Sequence, residues 1–415
     1  MAKFIVTGKK PLKGKITVSG AKNAALPIIT ASLLADSPSK LMDIPDLRDV
    51  AHLCTILEEM GAEVNHKGDV VEVDPTSLSD YEADPELARK LRASYYILGV
   101  MLAKKGIART SLPGGCNIGN RPIDLHLKGF RALGAEVELD HGIIEVKADR
   151  LQGNRIYLDY PSVGATINIM LAATGAEGQT IIENAAREPE IVDLANYLTV
   201  MGAKIKGVGT DIVKIESVDS LEGAEHRIIP DRIEAGTYMI AAALTGGEIF
   251  VNNVLAEHVK PLIAKLKEMN VKLEEKIEGI KIKGNGSLQA VDVKTLPYPG
   301  FPTDLQAQMM VLLTQANDSS LVIETVFENR FMHVDELKRM GADIKLDGHS
   351  ALIKPSKLAG AEVTAADLRA GAALILAGLV AEGRTEIRNI YHVERGYENI
   401  TEKLAGIGAD IKKVE

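Results

Sequence analysis

Leu57-Glu-Glu-Met-Gly61-Ala-Glu-Val returns five more times along the chain, with conservative changes. The later copies are Phe130-Arg-Ala-Leu-Gly134-Ala-Glu-Val, Leu198-Thr-Val-Met-Gly202-Ala-Lys-Ile, Leu266-Lys-Glu-Met-Asn270-Val-Lys-Leu, Leu337-Lys-Arg-Met-Gly341-Ala-Asp-Ile and Leu404-Ala-Gly-Ile-Gly408-Ala-Asp-Ile. Each reads as the last turn of an amphipathic helix, a glycine or asparagine where a left-handed backbone ends the helix, and the start of a strand. The copies stand about 70 residues apart, a longer period than solenoids or propellers use. The repeating object is a domain-sized α/β unit, used six times.

Aligned on this phrase, the units share one order: a strand, a helix rich in small residues, a strand, the amphipathic helix, and a hairpin. The first helices, such as Gly164-Ala-Thr-Ile-Asn-Ile-Met-Leu and Glu234-Ala-Gly-Thr-Tyr-Met-Ile-Ala-Ala-Ala, are apolar all round and therefore buried. Alternation around a turn marks the hairpins, as in Ala135-Glu-Val-Glu-Leu, Asp140-His-Gly, Ile143-Ile-Glu-Val. Six βαβαββ units with sheets outside a packed helical middle are expected. The sixth unit ends at Glu415 without a return strand, while Phe4-Ile-Val-Thr-Gly8 has no partner. The expectation is that the N-terminal strand closes the last unit. The chain then forms two domains, 21–229 with repeats one to three, and 1–20 with 230–415 carrying repeats four to six. A cleft between them is the default ligand site.

Composition narrows the function. A chain of 415 residues that is 46% hydrophobic and 25% charged has enough apolar content for two real cores. Met1-Ala-Lys-Phe-Ile-Val opens no signal peptide, and no apolar run reaches the roughly 20 residues a bilayer requires, so a cytoplasmic protein without membrane insertion is expected. Two distant cysteines argue for thiols rather than a disulfide framework. A formal net charge of −9 leaves no nucleic-acid footprint, although a local basic site can sit inside an acidic envelope. No Gly-x-Gly-x-x-Gly follows a strand, and there is no Walker lysine motif and no Cys/His cluster suited to zinc, so no cofactor and no metal site are expected. His52, His126 and His333 read as satisfied helix-face residues, and Cys54 as core. Composition leaves protein partners unknown.

The starts of the six buried helices carry Lys22, Arg92, Ser162, Arg232, Asp304 and Arg369 at equivalent places. The starts of the amphipathic helices, or the loops just before them, carry Arg48, Arg121, Arg187, His258, Arg330 and Arg395. A cation there opposes the helix dipole by about 0.3–1 kcal/mol. An anion lying between the cation and the helix N–H groups would compensate both. Any one of these cations could be a solvated surface residue; the whole set predicts a multiply anionic ligand held by arginine forks.

Two positions depart from their equivalents. The loop Ser111-Leu-Pro-Gly-Gly-Cys116-Asn-Ile-Gly-Asn-Arg121-Pro-Ile-Asp is longer than the other five and rich in glycine, which marks a candidate lid. Cys116, near Arg121, is either structural or a thiol activated by positive charge. Asp304, in Phe301-Pro-Thr-Asp304, is the one acidic member of its set. It is either a helix-start acid or, among facing arginines, a base for a substrate hydroxyl.

Across essentially all 415 residues the chain resembles the enolpyruvyl transferases. The motifs that carry the likeness are Gly20-Ala-Lys-Asn-Ala, Leu91-Arg-Ala-Ser, Leu112-Pro-Gly-Gly-Cys-Asn-Ile-Gly-Asn-Arg-Pro-Ile-Asp-Leu, Ser162-Val-Gly-Ala-Thr, Phe301-Pro-Thr-Asp, Phe327-Glu-Asn-Arg-Phe-Met-His, Asp367-Leu-Arg-Ala-Gly and Glu394-Arg-Gly-Tyr-Glu. The cysteine loop is similar to that of the members acting on UDP-N-acetylglucosamine; the branch acting on shikimate phosphate lacks it. The resemblance implies a two-domain inside-out α/β barrel built from six βαβαββ repeats. It also implies transfer of the enolpyruvyl group of phosphoenolpyruvate to the sugar 3-hydroxyl, with release of phosphate, at the start of peptidoglycan precursor synthesis. Carried over residue by residue, it implies that Lys22, Arg121 and Arg395 hold the phosphoenolpyruvate anions, with Arg330 and Arg369 in support. Asn23, Arg92, Arg121, Pro122, Ile123, Asp124, Leu125, Ser162, Val163, Gly164, Asp304 and Val326 would contact the sugar nucleotide. Cys116 would donate a proton, with or without a covalent adduct, and would be alkylated by the epoxide fosfomycin; Asp304 would accept the hydroxyl proton. The alternatives are a different acceptor, a non-catalytic sugar-nucleotide sensor, and a repeat scaffold that binds protein.

Overall fold

Six glycine or asparagine residues end six helices, and all six take a left-handed backbone: φ is +100° at Gly61, +92° at Gly134, +115° at Gly202, +67° at Asn270, +96° at Gly341 and +99° at Gly408. This conformation costs an L side chain roughly 1–2 kcal/mol and glycine little. The repeated phrase is thus a helix stop followed by a strand, and the fold is built on its repetition. The computed structural model describes residues 2–112 and 123–415.

The described chain forms two compact units that divide at Ser19/Gly20 and at Ile229/Pro230. In the unit beginning at Gly20, the helices Lys22–Ala31, Tyr96–Lys105 and Val163–Ala173 lie in the interior, with Tyr96–Lys105 packed on the other two. Three sheets cover them. Their strand orders are Glu225–Arg227, Ser39–Met42, Val70–Asp74, Glu63–Lys67; then Ile107–Ser111, Ile143–Lys147, Glu136–Asp140; and Lys204–Lys206, Ile212–Glu216, Gln179–Glu183, Arg155–Tyr157. The middle sheet has three strands because its expected first strand shrinks to a single bridge, Glu82 with Arg109. Its hairpin turns through His141 (φ +46°) and Gly142 (φ +81°), the left-handed pair that a two-residue turn demands.

The other unit repeats the plan. Helices Arg232–Thr245, Gln306–Leu313 and Leu368–Val380 fill its interior, in mutual contact. Its sheets are built on Glu248–Asn252, Ser320–Ile323 and Arg384–Arg388. In the last of these, Lys3–Thr7 lies between Arg384–Arg388 and Asp410–Val414 and is antiparallel to both, with Phe4 opposite Ile387 and Val6 opposite Ile411. Each unit has its own apolar core. Helices inside and sheets outside give the inside-out α/β architecture in both units. Cys54 is buried in the first core, and burial, then the nearby Glu58, pushes its thiol up to about 12. Among the described residues, no helix is long and apolar enough to cross a membrane.

Candidate functional site

In the unit containing residues 230–415, Asp304 and Arg369 stand where two interior helices begin, and Arg330 reaches Asp304 from ahead of helix Val334–Arg339. Asp304 sits in a single 3-10 turn, Thr303–Leu305, that leads into Gln306–Leu313. Its Oδ1 accepts from Arg330 Nη2 at 2.7 Å. Its Oδ2 accepts from Arg369 Nη2 at 3.0 Å and Nε at 3.3 Å. The arginine side chains are 3% and 6% exposed and that of Asp304 is 28% exposed. Two fixed cations therefore flank one carboxylate that solvent can reach, and the triplet keeps a net positive charge. Burial works against the Arg369 charge, but Asp304 and then Tyr397 outweigh it and hold the guanidinium above its ordinary range. Arg395 ends the 3-10 segment Ile390–Arg395 in the same unit.

Helix starts behave differently from the sequence expectation at two places. Asp367 accepts from the backbone N–H groups of Arg369 and Ala370, and Asp231 from those of Ile233 and Glu234. These helix starts are already capped, so no anion is needed there to satisfy the backbone. Their cations turn to side chains instead: Arg369 to Asp304, and Arg232 to the Tyr298 ring, 5.6 Å from its centroid.

Glu324, which the sequence reading missed, shapes this site. Nearly fully buried, it accepts from Thr295 Oγ1 at 2.8 Å, Thr303 Oγ1 at 2.9 Å, Val326 N at 2.8 Å and Phe327 N at 3.3 Å. One carboxylate thus fixes the residue before Asp304 and the backbone at the candidate Val326. The only sequence signal was an acid one place beyond the apolar strand Ser320–Ile323.

The unit beginning at Gly20 holds a second group. Lys22, the first residue of its helix, has Nζ 3.1 Å from Asp49 Oδ2, with both side chains largely buried, while Asn23 beside it is exposed. Arg92 opens the 3-10 turn Arg92–Tyr95 ahead of Tyr96–Lys105, which packs on the helix of Lys22. Ser162 caps Val163–Ala173 by accepting from Ala165 N at 3.3 Å. His126 lies beside Gly164 and within the field of Arg92. Its Nδ1 faces Asn168 Nδ2 at 2.9 Å, and Asn168 also donates to Tyr95 O at 2.8 Å and accepts from Gly99 N at 2.9 Å. A Cβ on Gly164 would stand 3.0 Å from His126 Cε1 and Nε2, so glycine there permits the imidazole's close approach. Burial, and then the charge of Arg92, holds His126 down at about 4. Ile123 and Leu125 are half-buried, and Asp124 is exposed in the first turn of Asp124–Ala132.

The structure thus brings Asp304, Arg330 and Arg369 into direct contact and gathers Arg92 and Gly164 around His126. Val326 is joined to the Asp304 turn through Glu324. Cys116, Arg121 and Pro122, with the whole of 113–122 in the candidate lid, lie outside the described residues. The expectation of satisfied histidines holds at His126, which accepts from Asn168, and needs correction at two atoms: His52 Nε2 and His333 Nε2 are buried without a hydrogen-bond partner among the described residues. Among the described residues, no cluster of three or more metal-ligating side chains occurs.

Comparison with known proteins bears on this geometry. Residues 6–404 match the family model of EPSP synthase (3-phosphoshikimate 1-carboxyvinyltransferase). The chain is 80% identical over 415 residues, covering 100% of both chains, to the UDP-N-acetylglucosamine 1-carboxyvinyltransferase of Halothermothrix orenii. It is 58% identical over 412 residues, 99% of each, to UDP-N-acetylglucosamine 1-carboxyvinyltransferase 1 of Caldanaerobacter subterraneus subsp. tengcongensis. Among solved structures, the enolpyruvyl transferase NikO of Streptomyces tendae superposes with a TM-score of 0.90 at 24% identity, over 100% of this chain and 99% of that one. EPSP synthase of Acinetobacter baumannii gives 0.79 at 20%, over 100% of both. Likeness at these identities speaks to the fold alone.

Proposed function

The chain belongs to the EPSP synthase (3-phosphoshikimate 1-carboxyvinyltransferase) family, and from that membership we propose that it transfers the enolpyruvyl group of phosphoenolpyruvate to the 3-hydroxyl of UDP-N-acetylglucosamine, releasing phosphate. This is the first committed step of peptidoglycan precursor synthesis. The observation that carries the choice of acceptor is the 80% identity, end to end, with a relative bearing that activity in its name.

Lys22, Arg121 and Arg395 hold the phosphate and carboxylate of phosphoenolpyruvate, and Arg330 and Arg369 add positive potential. The near-complete burial of the last two supports that role, because a guanidinium fixed before the substrate arrives loses little freedom on binding. Asn23, Arg92, Arg121 to Leu125, Ser162 to Gly164 and Val326 contact the sugar nucleotide.

The reaction adds and then eliminates. As the 3-hydroxyl oxygen attacks the substituted carbon of the enol, its proton passes to Asp304, and Cys116 protonates the methylene carbon. The resulting tetrahedral intermediate loses a proton from that former methylene carbon. The double bond re-forms and phosphate leaves. The exposure of the Asp304 carboxylate supports its role as the base.

Phosphate release from phosphoenolpyruvate, measured with and without UDP-N-acetylglucosamine, tests the proposal. Release should require both substrates and fall at least about 100-fold in Cys116→Ala, the scale of a lost acid catalyst. Sugar-nucleotide binding without any release would instead identify a sensor, and release with another acceptor would move the specificity.

A further inference from the structure

Directly behind Asp304 lies a set of side chains that the reaction as described does not use. Gln308 Nε2 donates to the Asp304 backbone carbonyl at 3.0 Å and to the Tyr397 hydroxyl at 3.1 Å. The Tyr397 hydroxyl is 2.9 Å from Thr237 Oγ1. Thr237 Oγ1 also donates to Ile233 O at 2.8 Å, which fixes the direction of the chain. With the threonine proton committed to Ile233, the tyrosine O–H donates to Thr237 and its oxygen accepts from Gln308. The face of the Tyr397 ring lies 5.4 Å from the Arg369 guanidinium carbon, and the phenol helps to hold that charge. Tyr397 is 2% exposed.

We propose that Tyr397 is a positioning residue for the transfer, the node at which helices Arg232–Thr245, Gln306–Leu313 and Leu368–Val380 fix the Asp304 carboxylate and its arginine. It reaches Asp304 by two routes, through Gln308 to the backbone and through Arg369 to the carboxylate. Burial pushes the phenol above its usual range, so it remains a hydroxyl at any pH the enzyme works at and takes no proton from substrate. Gln308 cannot replace it: with the amide oxygen unpartnered among the described residues, Tyr397 and Thr237 are the groups that orient Gln308 toward Asp304. A small displacement of a base is costly to turnover and cheap to ground-state binding.

The inference rests on Asp304 acting as the base, and a double-mutant cycle separates the two claims. Tyr397→Phe keeps the ring and its packing and removes one oxygen. It should lower kcat about 10-fold, with KM for both substrates within about twofold of wild type. In combination with Asp304→Asn it should add nothing, because positioning a base that is absent has no effect. Thr237→Val, which removes the acceptor of the tyrosine proton, should show the same split and serves if Tyr397→Phe fails to fold. An unchanged kcat in both variants, a change confined to KM, or losses that multiply in the double variant would overturn the inference. Full activity in Asp304→Asn would instead remove the base assignment.

Discussion

His126 is an uncharged imidazole in a pocket made for that form: Nδ1 accepts from Asn168, and the space beside Nε2 exists because residue 164 is glycine. A proton on Nδ1 would face the Asn168 donor. The folded value lies near 4 and the ordinary value near 6.5, so as pH falls the unfolded chain binds the proton first. Stability from this group is therefore full above about pH 6.5 and drains away until about pH 4. Between pH 7 and pH 5 the loss should be about 2 kcal/mol. Denaturant melts at these two pH values should show a smaller difference in His126→Asn than in wild type, even though the variant starts less stable. Arg330, Arg369 and Asp304 stood out in the sequence, because arginines at helix starts break a local rule and the lone aspartate breaks the pattern of its equivalents. Glu324, Gln308 and Tyr397 break none. Their importance comes from burial and from partners distant in sequence, as with Tyr397 and Thr237, and no local pattern encodes it.

At the scale of elements, the helix stop is interchangeable between repeats, and Asn270 already occupies the place where the other five carry glycine. Nothing lies within 4 Å of the point where a Cβ on Gly408 would stand, so a substitution there meets only the backbone cost. Gly408→Ala should lose roughly 1–2 kcal/mol and Gly408→Asn clearly less, since asparagine tolerates the left-handed region. Thermal melts of the two variants in parallel check the order. The six stops, the buried helices and the hairpins could be read from the sequence because each depends on residues within one turn or one alternation. The capped starts at Arg232 and Arg369 were misread for the opposite reason: an aspartate shortly before the helix settles the N–H groups through geometry that charge counting does not see. The vanished first strand of the second sheet, reduced to the Glu82 bridge, was equally invisible, because pairing is decided by the partner strand.

At the scale of the molecule, two separate cores mean that damage to one should not spread uniformly. Val6 is fully buried in the central strand of the sheet closed by Lys3–Thr7. Val6→Ala should cost about 2 kcal/mol. Hydrogen exchange should then quicken in Arg232–Thr245 and Leu368–Val380 and stay unchanged in Lys22–Ala31; equal acceleration in both units would contradict independent cores. That same strand also imposes an order on biosynthesis. Lys3–Thr7 leaves the ribosome long before both of its neighbours, Arg384–Arg388 and Asp410–Val414. At about 5–20 residues per second, it waits some 20–80 s with both edges unpaired, while the unit inserted after it can complete a core of its own. The nascent chain thus carries an unsatisfied β-edge throughout that interval, and this edge is where a chaperone would have the longest time to act.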